Sequence, residues 1–135
     1  MKRLAMLLMT LAPLAVSAQT QGVTKDEIVV GTIQDLSGPL AALGTHFRNS
    51  LQMRFDEVNA EGGIHGRKLK IVIEDSGYDP KKGVLAAQKL IQRDKVFAAV
   101  SNLGSAVVLA TMPLFLERKV LHLFPAAAHP SASSC

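Results

Sequence analysis

Ser105 is the residue of this chain best placed to bind a small anion. It follows the apolar residues 96–100 and a short loop, and a second apolar pattern begins directly after it. This order predicts a buried strand, a loop and a helix that starts at Ser105. The first N–H groups of a helix have no partner within the helix, and with the helix dipole they favour an anion. A plain helix cap is the alternative role for the Ser105 hydroxyl, and the two roles are compatible.

A second loop of turn-forming residues follows the first predicted strand. Residues 28–33 are mostly β-branched and uncharged, which is typical of a strand buried on both faces of a parallel sheet. Ser37, Gly38, Pro39 and Gly44 then form the predicted turn. Ligands of open α/β sheets bind beyond the carboxyl ends of the strands, so Ser37 and Gly38 are predicted ligand contacts. A simple strand-to-helix connection is the alternative. Neither loop contains a G-x-G-x-x-G or P-loop sequence, so a nucleotide is not indicated.

The other reactive side chains form no catalytic or metal-binding pattern. Asp75, Tyr78 and Asp79 lie among Ser, Gly and Pro residues, which predicts a solvated turn rather than a pair of catalytic carboxylates. Ser105 has no G-x-S-x-G motif around it, and the one cysteine, Cys135, is the last residue. The histidines are not at metal-ligand spacings; they are His46, His65, His122 and His129. We therefore expect no enzyme activity, no metal and no cofactor.

Helices and strands that would position the two loops alternate along the chain. Helical spacing of apolar residues predicts a helix over residues 45–59, and alternation predicts a strand over residues 68–74. The pattern continues with a helix from Pro80 to near Asp94, a strand over residues 96–100, a helix from Ser105 that is disturbed at Pro113, and a strand over residues 120–124.

This alternation predicts an α/β fold with an open, doubly wound parallel sheet of the Rossmann or flavodoxin type, connected by right-handed crossovers. A strand order of 2-1-3-4 would reverse the chain direction between strands one and three. A crevice would then open between the two loops.

The amino terminus has the pattern of an export signal. Lys2 and Arg3 precede an apolar run over residues 4–16, and small residues follow at positions 16–18. We predict a signal peptide over residues 1–18, with the mature chain beginning at Gln19 in the periplasm. Its removal lowers the net charge from +4 to +2, and the single Tyr and absence of Trp give little material for base stacking. No nucleic-acid partner is therefore indicated.

Four motifs in order resemble a known family. They are D-L-S-G-P-L-A-A-L-G, N-A-E-G-G-I-H-G-R-K-L-K, E-D-S-G-Y-D-P and A-A-Q-K-L-I. From Val23 to about Pro130 the chain is similar to type I periplasmic binding proteins, specifically the branched-chain amino acid binding proteins of ABC importers. The resemblance implies two α/β lobes, an amino acid or similar small ligand held between them, and an ABC permease in the inner membrane as partner.

The resemblance also implies particular contact residues. Leu103, Gly104 and Ser105 match the family's ligand loop after the third strand, where a serine hydroxyl and backbone N–H groups hold the ligand's α-carboxylate. Ala126, Ala127 and Ala128 match a second contact loop, in which the family commonly supplies a Ser or Thr hydroxyl. The three alanines remove that side-chain hydrogen bond and leave only backbone donors, which puts the usual branched-chain ligand in question.

The length of the chain differs from that of the family. The resemblance ends soon after the fourth strand, and residues 131–135 no longer follow it. We expect residues 19–135 to be the amino-terminal part of a first lobe, with the second lobe absent. The expected function is that of a periplasmic substrate-binding component, present in truncated form. A ligand-binding sensor of the same fold is the main alternative, and an exported Rossmann-type enzyme would need a cofactor loop that the sequence does not show.

Overall fold

The computed structural model describes residues 20–128. The predicted signal peptide, His129 and the tail that ends at Cys135 lie outside the described residues. Between residues 20 and 128, no helix is long and apolar enough to cross a membrane.

Four strands alternate with three helices in the described part of the chain. The strands are β1 (Glu27–Gln34), β2 (Lys68–Asp75), β3 (Ala98–Val100) and β4 (Leu121–Leu123). The helices are α1 (Ala41–Ala60), α2 (Pro80–Gln88) and α3 (Ser105–Glu117), and a π-helical turn (Lys89–Arg93) extends α2. The predicted alternation of strands and helices is confirmed.

The strands form one parallel sheet, as the sequence predicts, and their order is β2-β1-β3-β4, the order that the expected crevice requires. The chain moves outward from β1 to β2 and then returns past β1 to β3 and β4. Right-handed crossovers therefore place α1 on one face and α2 and α3 on the other. In agreement, α1 packs on β1 and β2 while α2 packs against α3. Successive strands are added in one direction from β1 to β2 and in the opposite direction from β1 to β3 and β4. The predicted crevice would open at this switch point, between β1 and β3.

The hydrophobic core lies between the sheet and the layer formed by α2 and α3. Ile33 of β1 and Ala99 of β3 meet Leu90, Val107 and Phe115 there. These residues are fully buried or nearly so, and burial of each large apolar side chain contributes about 1.5–3 kcal/mol. The second half of β1 is buried on both faces, as its β-branched composition indicates. This central strand consequently gives the loop that follows it a rigid base.

The predicted start of the first helix was wrong. Gly44 was assigned to the turn, but α1 begins at Ala41 and includes Gly44 in its first turn. A Cβ atom on Gly44 would lie 1.9 Å from the carbonyl oxygen of Asp35. Glycine is therefore needed at this position for close packing of α1 on the end of β1, and not for a turn.

The sequence also misjudged three other boundaries. α3 continues through Pro113, which is exposed, without a break. β3 begins at Ala98 rather than at residue 96, since the N–H of Val96 closes the π-helical turn by bonding to the carbonyl of Leu90. β4 is limited to Leu121–Leu123, because the exposed Phe124 that follows has a left-handed backbone.

Candidate ligand-binding site

The carboxyl ends of β1 and β3 are joined by buried hydrogen bonds. The Asn102 side-chain carbonyl accepts a bond from the Ile33 N–H at 2.8 Å, and the Leu103 N–H donates to the Ile33 carbonyl at 2.9 Å. The Gln34 side-chain amide donates to the Ser101 carbonyl at 2.8 Å. Gln34 and Asn102 are both 0% exposed. Side-chain amides therefore continue the sheet where β1 and β3 separate, and they hold the loop after β3 in register.

Two atoms of these amides have no hydrogen-bond partner among residues 20–128. They are Oε1 of Gln34 and Nδ2 of Asn102. An unpaired buried polar atom costs about 1–3 kcal/mol. This edge of the sheet therefore keeps one acceptor and one donor that form no hydrogen bond within the described residues.

The start of α3 differs from the prediction for Ser105. Gly104, with a φ of 101°, is the N-cap, and no side chain caps the helix. Ser105 is the first helical residue, and its Oγ accepts a hydrogen bond from the Ala128 N–H at 3.0 Å. The predicted capping role was wrong because the Ser105 side chain lies one position too late to reach the N–H groups of the first turn. It joins α3 to the loop after β4 instead.

The loop after β4 packs against the loop after β3. The Ala126 N–H donates to the Asn102 carbonyl at 2.9 Å, and the Gly104 N–H donates to the Ala126 carbonyl at 3.0 Å. The structure thus brings Leu103, Gly104 and Ser105 together with the alanine loop. Most of the backbone donors expected for a ligand are used in this packing, since Ala128 also donates to Ser105.

Within this pair of loops, the donors that remain unused lie at the start of α3 and at Ala127. The Val108 N–H closes the first helical turn onto the Gly104 carbonyl at 2.8 Å. The three preceding N–H groups, of Ser105, Ala106 and Val107, have no acceptor in the described part of the chain, and the same holds for Ala127. They coincide with the positive end of the helix dipole, which adds to their attraction for an anion. This arrangement can bind a carboxylate.

The loop after β1 uses its donors internally. The buried carboxylate of Asp35 accepts bonds from the Gly38 N–H at 2.6 Å and the Leu40 N–H at 2.7 Å. The Ser37 hydroxyl donates to Asp75 at 2.6 Å. Ser37 and Gly38 form no hydrogen bond to the group around Ser105 within the described residues. The Ser37 hydroxyl hydrogen and the Gly38 N–H are occupied, although the Ser37 oxygen can still accept a bond.

Asp75 is exposed and precedes a turn at Gly77 and Tyr78, as the sequence predicts, but it also organises the neighbouring backbone. Asp75 accepts bonds from the Leu36 N–H at 2.8 Å and the Gly77 N–H at 2.9 Å, in addition to Ser37. Burial alone would raise the pKa of Asp75, but these hydrogen bonds outweigh it and hold that pKa below its ordinary value. Asp79 caps α2 by accepting the Lys81 N–H at 2.7 Å. Both carboxylates organise backbone, and neither has the arrangement of a catalytic acid.

Four residues shape this edge of the sheet in ways that sequence reasoning did not predict: Asp35 and Asn102 were not singled out, and Asp75 and Tyr78 were assigned only to a turn. The roles of two of these residues could have been predicted from the sequence. Asp35 directly follows β1 and Asp75 ends β2, and each precedes a Gly-containing turn, which is the setting in which an aspartate bonds to nearby backbone N–H groups. The roles of Asn102 and Tyr78 could not, because their partners lie 69 and 26 positions away along the chain.

A cavity of about 510 Å³ lies at the opposite end of the sheet. It is lined by residues 20–24 and by Val29, Asp94 and Lys95, all near the amino ends of β1 and β3. None of its lining residues belongs to the loops described above. No group of His, Cys, Asp and Glu residues that could hold a metal ion occurs within residues 20–128.

Comparisons with known proteins identify relatives of this chain. A family model described as periplasmic binding protein matches residues 27–135. The Leu/Ile/Val-binding protein BraC3 of Rhizobium johnstonii is 36% identical over 104 residues, which are 77% of this chain and 28% of the relative.

Two solved structures share the fold. The branched-chain amino acid transporter substrate-binding protein LivJ of Streptococcus pneumoniae, in complex with isoleucine, has a TM-score of 0.75 at 28% identity; the match covers 79% of this chain and 31% of LivJ. A fatty acid ABC transporter substrate-binding protein of Thermomonospora curvata has a TM-score of 0.69 at 33% identity, over 82% of this chain and 27% of that protein. The chain therefore spans about a third or less of the length of each relative.

Proposed function

This chain belongs to the periplasmic binding protein family, and on that premise we propose that it forms part of the first ligand-binding lobe of an ABC importer's substrate-binding component. It captures a small carboxylate, and a branched-chain amino acid is the first candidate. The observation that carries this proposal is the set of unused N–H donors at the start of α3, on the side of the sheet where the chain direction reverses.

The chemistry of the relatives' ligands supports a carboxylate. Isoleucine, bound by LivJ, and a fatty acid, named for the Thermomonospora curvata protein, share a carboxylate and an apolar chain. The α3 start matches the shared group. In this chain the Ser105 hydroxyl accepts a bond from Ala128, so its hydrogen is free to be donated to a ligand oxygen. Ser105 would thus orient the carboxylate, while the N–H groups of Ala106 and Val107 neutralise it.

Calorimetry with three matched compounds tests this assignment on the full chain. Leucine carries the carboxylate, the amine and the branched side chain; isocaproate lacks the amine, and isoamylamine lacks the carboxylate. We expect heat of binding from leucine and isocaproate and none from isoamylamine. Equal binding of leucine and isoamylamine would contradict carboxylate capture.

Export and delivery complete the proposal. We expect the chain in the periplasm with Gln19 as its first residue, which amino-terminal sequencing of periplasmic protein would show. An ABC permease is the proposed partner that receives the ligand, and no catalytic step is proposed. Uptake of labelled leucine by cells should fall when the gene is deleted. Unchanged uptake would favour the sensor alternative.

A further inference from the structure

Tyr78 lies in the tight turn between β2 and α2 with an unusual backbone conformation. Its φ is +61°, and the preceding Gly77 has a φ of +54°. A left-handed backbone is uncommon for a bulky side chain and persists only when the surroundings determine it. The buried Ser76 provides part of that determination, since its hydroxyl accepts the Tyr78 N–H at 3.3 Å and donates to the Gln34 carbonyl at 3.1 Å. The turn is therefore tied to the end of β1.

The Tyr78 ring contacts Gly104, the residue that begins α3. A Cβ atom on Gly104 would lie 2.6 Å from Cε2 and 3.0 Å from Cδ2 of the ring. The ring thus occupies the space that a side chain at position 104 would need. On the other side of the turn, the Gly77 carbonyl lies 2.5 Å from where a Cβ on Gly38 would be. Two neighbouring residues, Gly77 and Tyr78, consequently contact both loops that were predicted to bind the ligand.

We propose that Tyr78 is a positioning residue of the ligand site. Its ring holds Gly104 in the left-handed conformation from which the N–H groups of the first α3 turn point toward the ligand. The flat ring, and not the hydroxyl, provides this support, because the Tyr78 hydroxyl forms no hydrogen bond with any described residue. The geometric part of this proposal rests on contacts within the chain, and its effect on a ligand rests on the proposed function.

Hydrogen exchange of backbone amides tests the geometric part without a ligand. The Gly104 and Val108 N–H groups both form bonds that require Gly104 to stay in place. We expect Tyr78→Ala to speed exchange of these two amides about tenfold relative to the amides of β1, and Tyr78→Phe to leave them unchanged. Leu85→Ala, which shortens a side chain that is 64% exposed on α2, is the matched control.

Three results would overturn the proposal. One is unchanged exchange in Tyr78→Ala, the second is a uniform rise that includes β1, and the third is a loss in Tyr78→Phe as large as in Tyr78→Ala. If Tyr78→Ala does not fold, Tyr78→Leu takes its place, since leucine keeps apolar bulk without a flat ring. A smaller but still local rise at Gly104 and Val108 is then expected, and no local rise contradicts the proposal.

Leucine binding tests the functional part. We expect Tyr78→Ala to weaken leucine binding by about fivefold or more, and Tyr78→Phe to change it less than about twofold. Leucine affinity that is unchanged in Tyr78→Ala would contradict the positioning role while leaving the proposed function intact. A wild-type chain that binds neither leucine nor isocaproate would contradict the proposed function alone, and the amide exchange of Gly104 would still decide on Tyr78.

The composition of the chain offers an independent reporter. Tyr78 is the only tyrosine and the chain has no tryptophan, so intrinsic tyrosine emission comes from this one ring. Leucine that binds at the start of α3 should change that emission with the same dissociation constant that calorimetry gives. Calorimetric binding with no change in tyrosine emission would place the ligand away from Tyr78 and contradict the proposal.

Discussion

The loop after β1 and the loop after β3 have similar sequences but different roles. Both contain serine and glycine, and both leave the carboxyl end of a buried strand. In the first loop the Gly38 N–H and the Ser37 hydroxyl bond to aspartates of the protein itself. In the second, no side chain occupies the N–H groups at the helix start. The start of α1 likewise has no side-chain cap, and the Ala42 and Leu43 N–H groups have no acceptor among residues 20–128. The two regions therefore differ in the loop itself, where the Gly38 and Leu40 N–H groups of the first loop are already bonded to Asp35.

This difference shows that glycine and serine content does not by itself indicate a binding loop. The deciding feature is the presence of a nearby acceptor within the protein. Asp35 and Asp75 supply acceptors to the first loop. Asn102 instead bonds the second loop to the Ile33 N–H of β1 and does not accept a bond from the α3 donors. We therefore propose that the first loop mainly supports the site and that the second, with the start of α3, is the ligand-binding surface; the predicted contacts at Ser37 and Gly38 stay a prediction.

The largest predicted effect concerns the framework of the first loop. Gly44→Ala would place a methyl group 1.9 Å from the Asp35 carbonyl oxygen, so α1 would have to move away from β1. We expect a loss of about 3 kcal/mol in the free energy of unfolding, measured by urea denaturation. Ala42→Ser, at an exposed position of the same helix, should change stability by less than about 0.5 kcal/mol. Equal stabilities of the two variants would show that the first loop is not rigidly supported.

The framework of the second loop should be nearly as sensitive. Asn102→Ala removes the acceptor of the buried Ile33 N–H, and we expect it to lower the free energy of unfolding by about 2 kcal/mol. Asn49→Ala, at an exposed site on α1, is the control and should have little effect. An unchanged free energy of unfolding in Asn102→Ala would show that the loop after β3 does not depend on this amide.

Two serines provide a matched test of the difference in function. Ser105→Ala should weaken leucine binding by about 1–2 kcal/mol, because the ligand loses a hydroxyl donor. Ser37→Ala should leave the leucine affinity unchanged, because its hydroxyl is already bonded to Asp75. Calorimetry on both variants measures the two effects. The reverse result would assign the ligand to the first loop.

The smallest predicted effect is a pH dependence that belongs to the first loop. The pKa of Asp75 is lower in the folded chain than its ordinary 3.8, so the unfolded chain binds this proton first as the pH falls. The stability contributed by Asp75 is present above pH 3.8 and is lost as the pH falls through the folded pKa.

The variant Asp75→Asn isolates this contribution. Its free energy of unfolding should fall less steeply with decreasing pH than that of the wild type, by at most about 1 kcal/mol, since Asp75 is largely exposed. Leucine affinity gives a second readout and should not follow the Asp75 titration. Identical pH profiles of wild type and variant would show that Asp75 does not stabilise the first loop.

The sequence was sufficient to predict the architecture but not the division of roles between the loops. Parallel pairing followed from the alternation of apolar segments, whereas the order β2-β1-β3-β4 was only one possibility that the alternation allowed. The position of Gly44 did not follow, because a glycine packed against a neighbouring carbonyl and a glycine in a turn are the same in sequence. The contact between Tyr78 and Gly104 also could not be predicted, since it depends on how α2 and α3 pack side by side.

The most direct test of the central claim is a leucine titration of the isotope-labelled chain, followed residue by residue through its backbone amide resonances. The α3 donors are predicted to respond, so the resonances of Ser105, Ala106 and Val107 should shift together with a single dissociation constant. Those of Gly38 and Leu40, which are bonded to Asp35, should move little. Shifts confined to Gly38 and Leu40, with the α3 amides unchanged, would contradict the account.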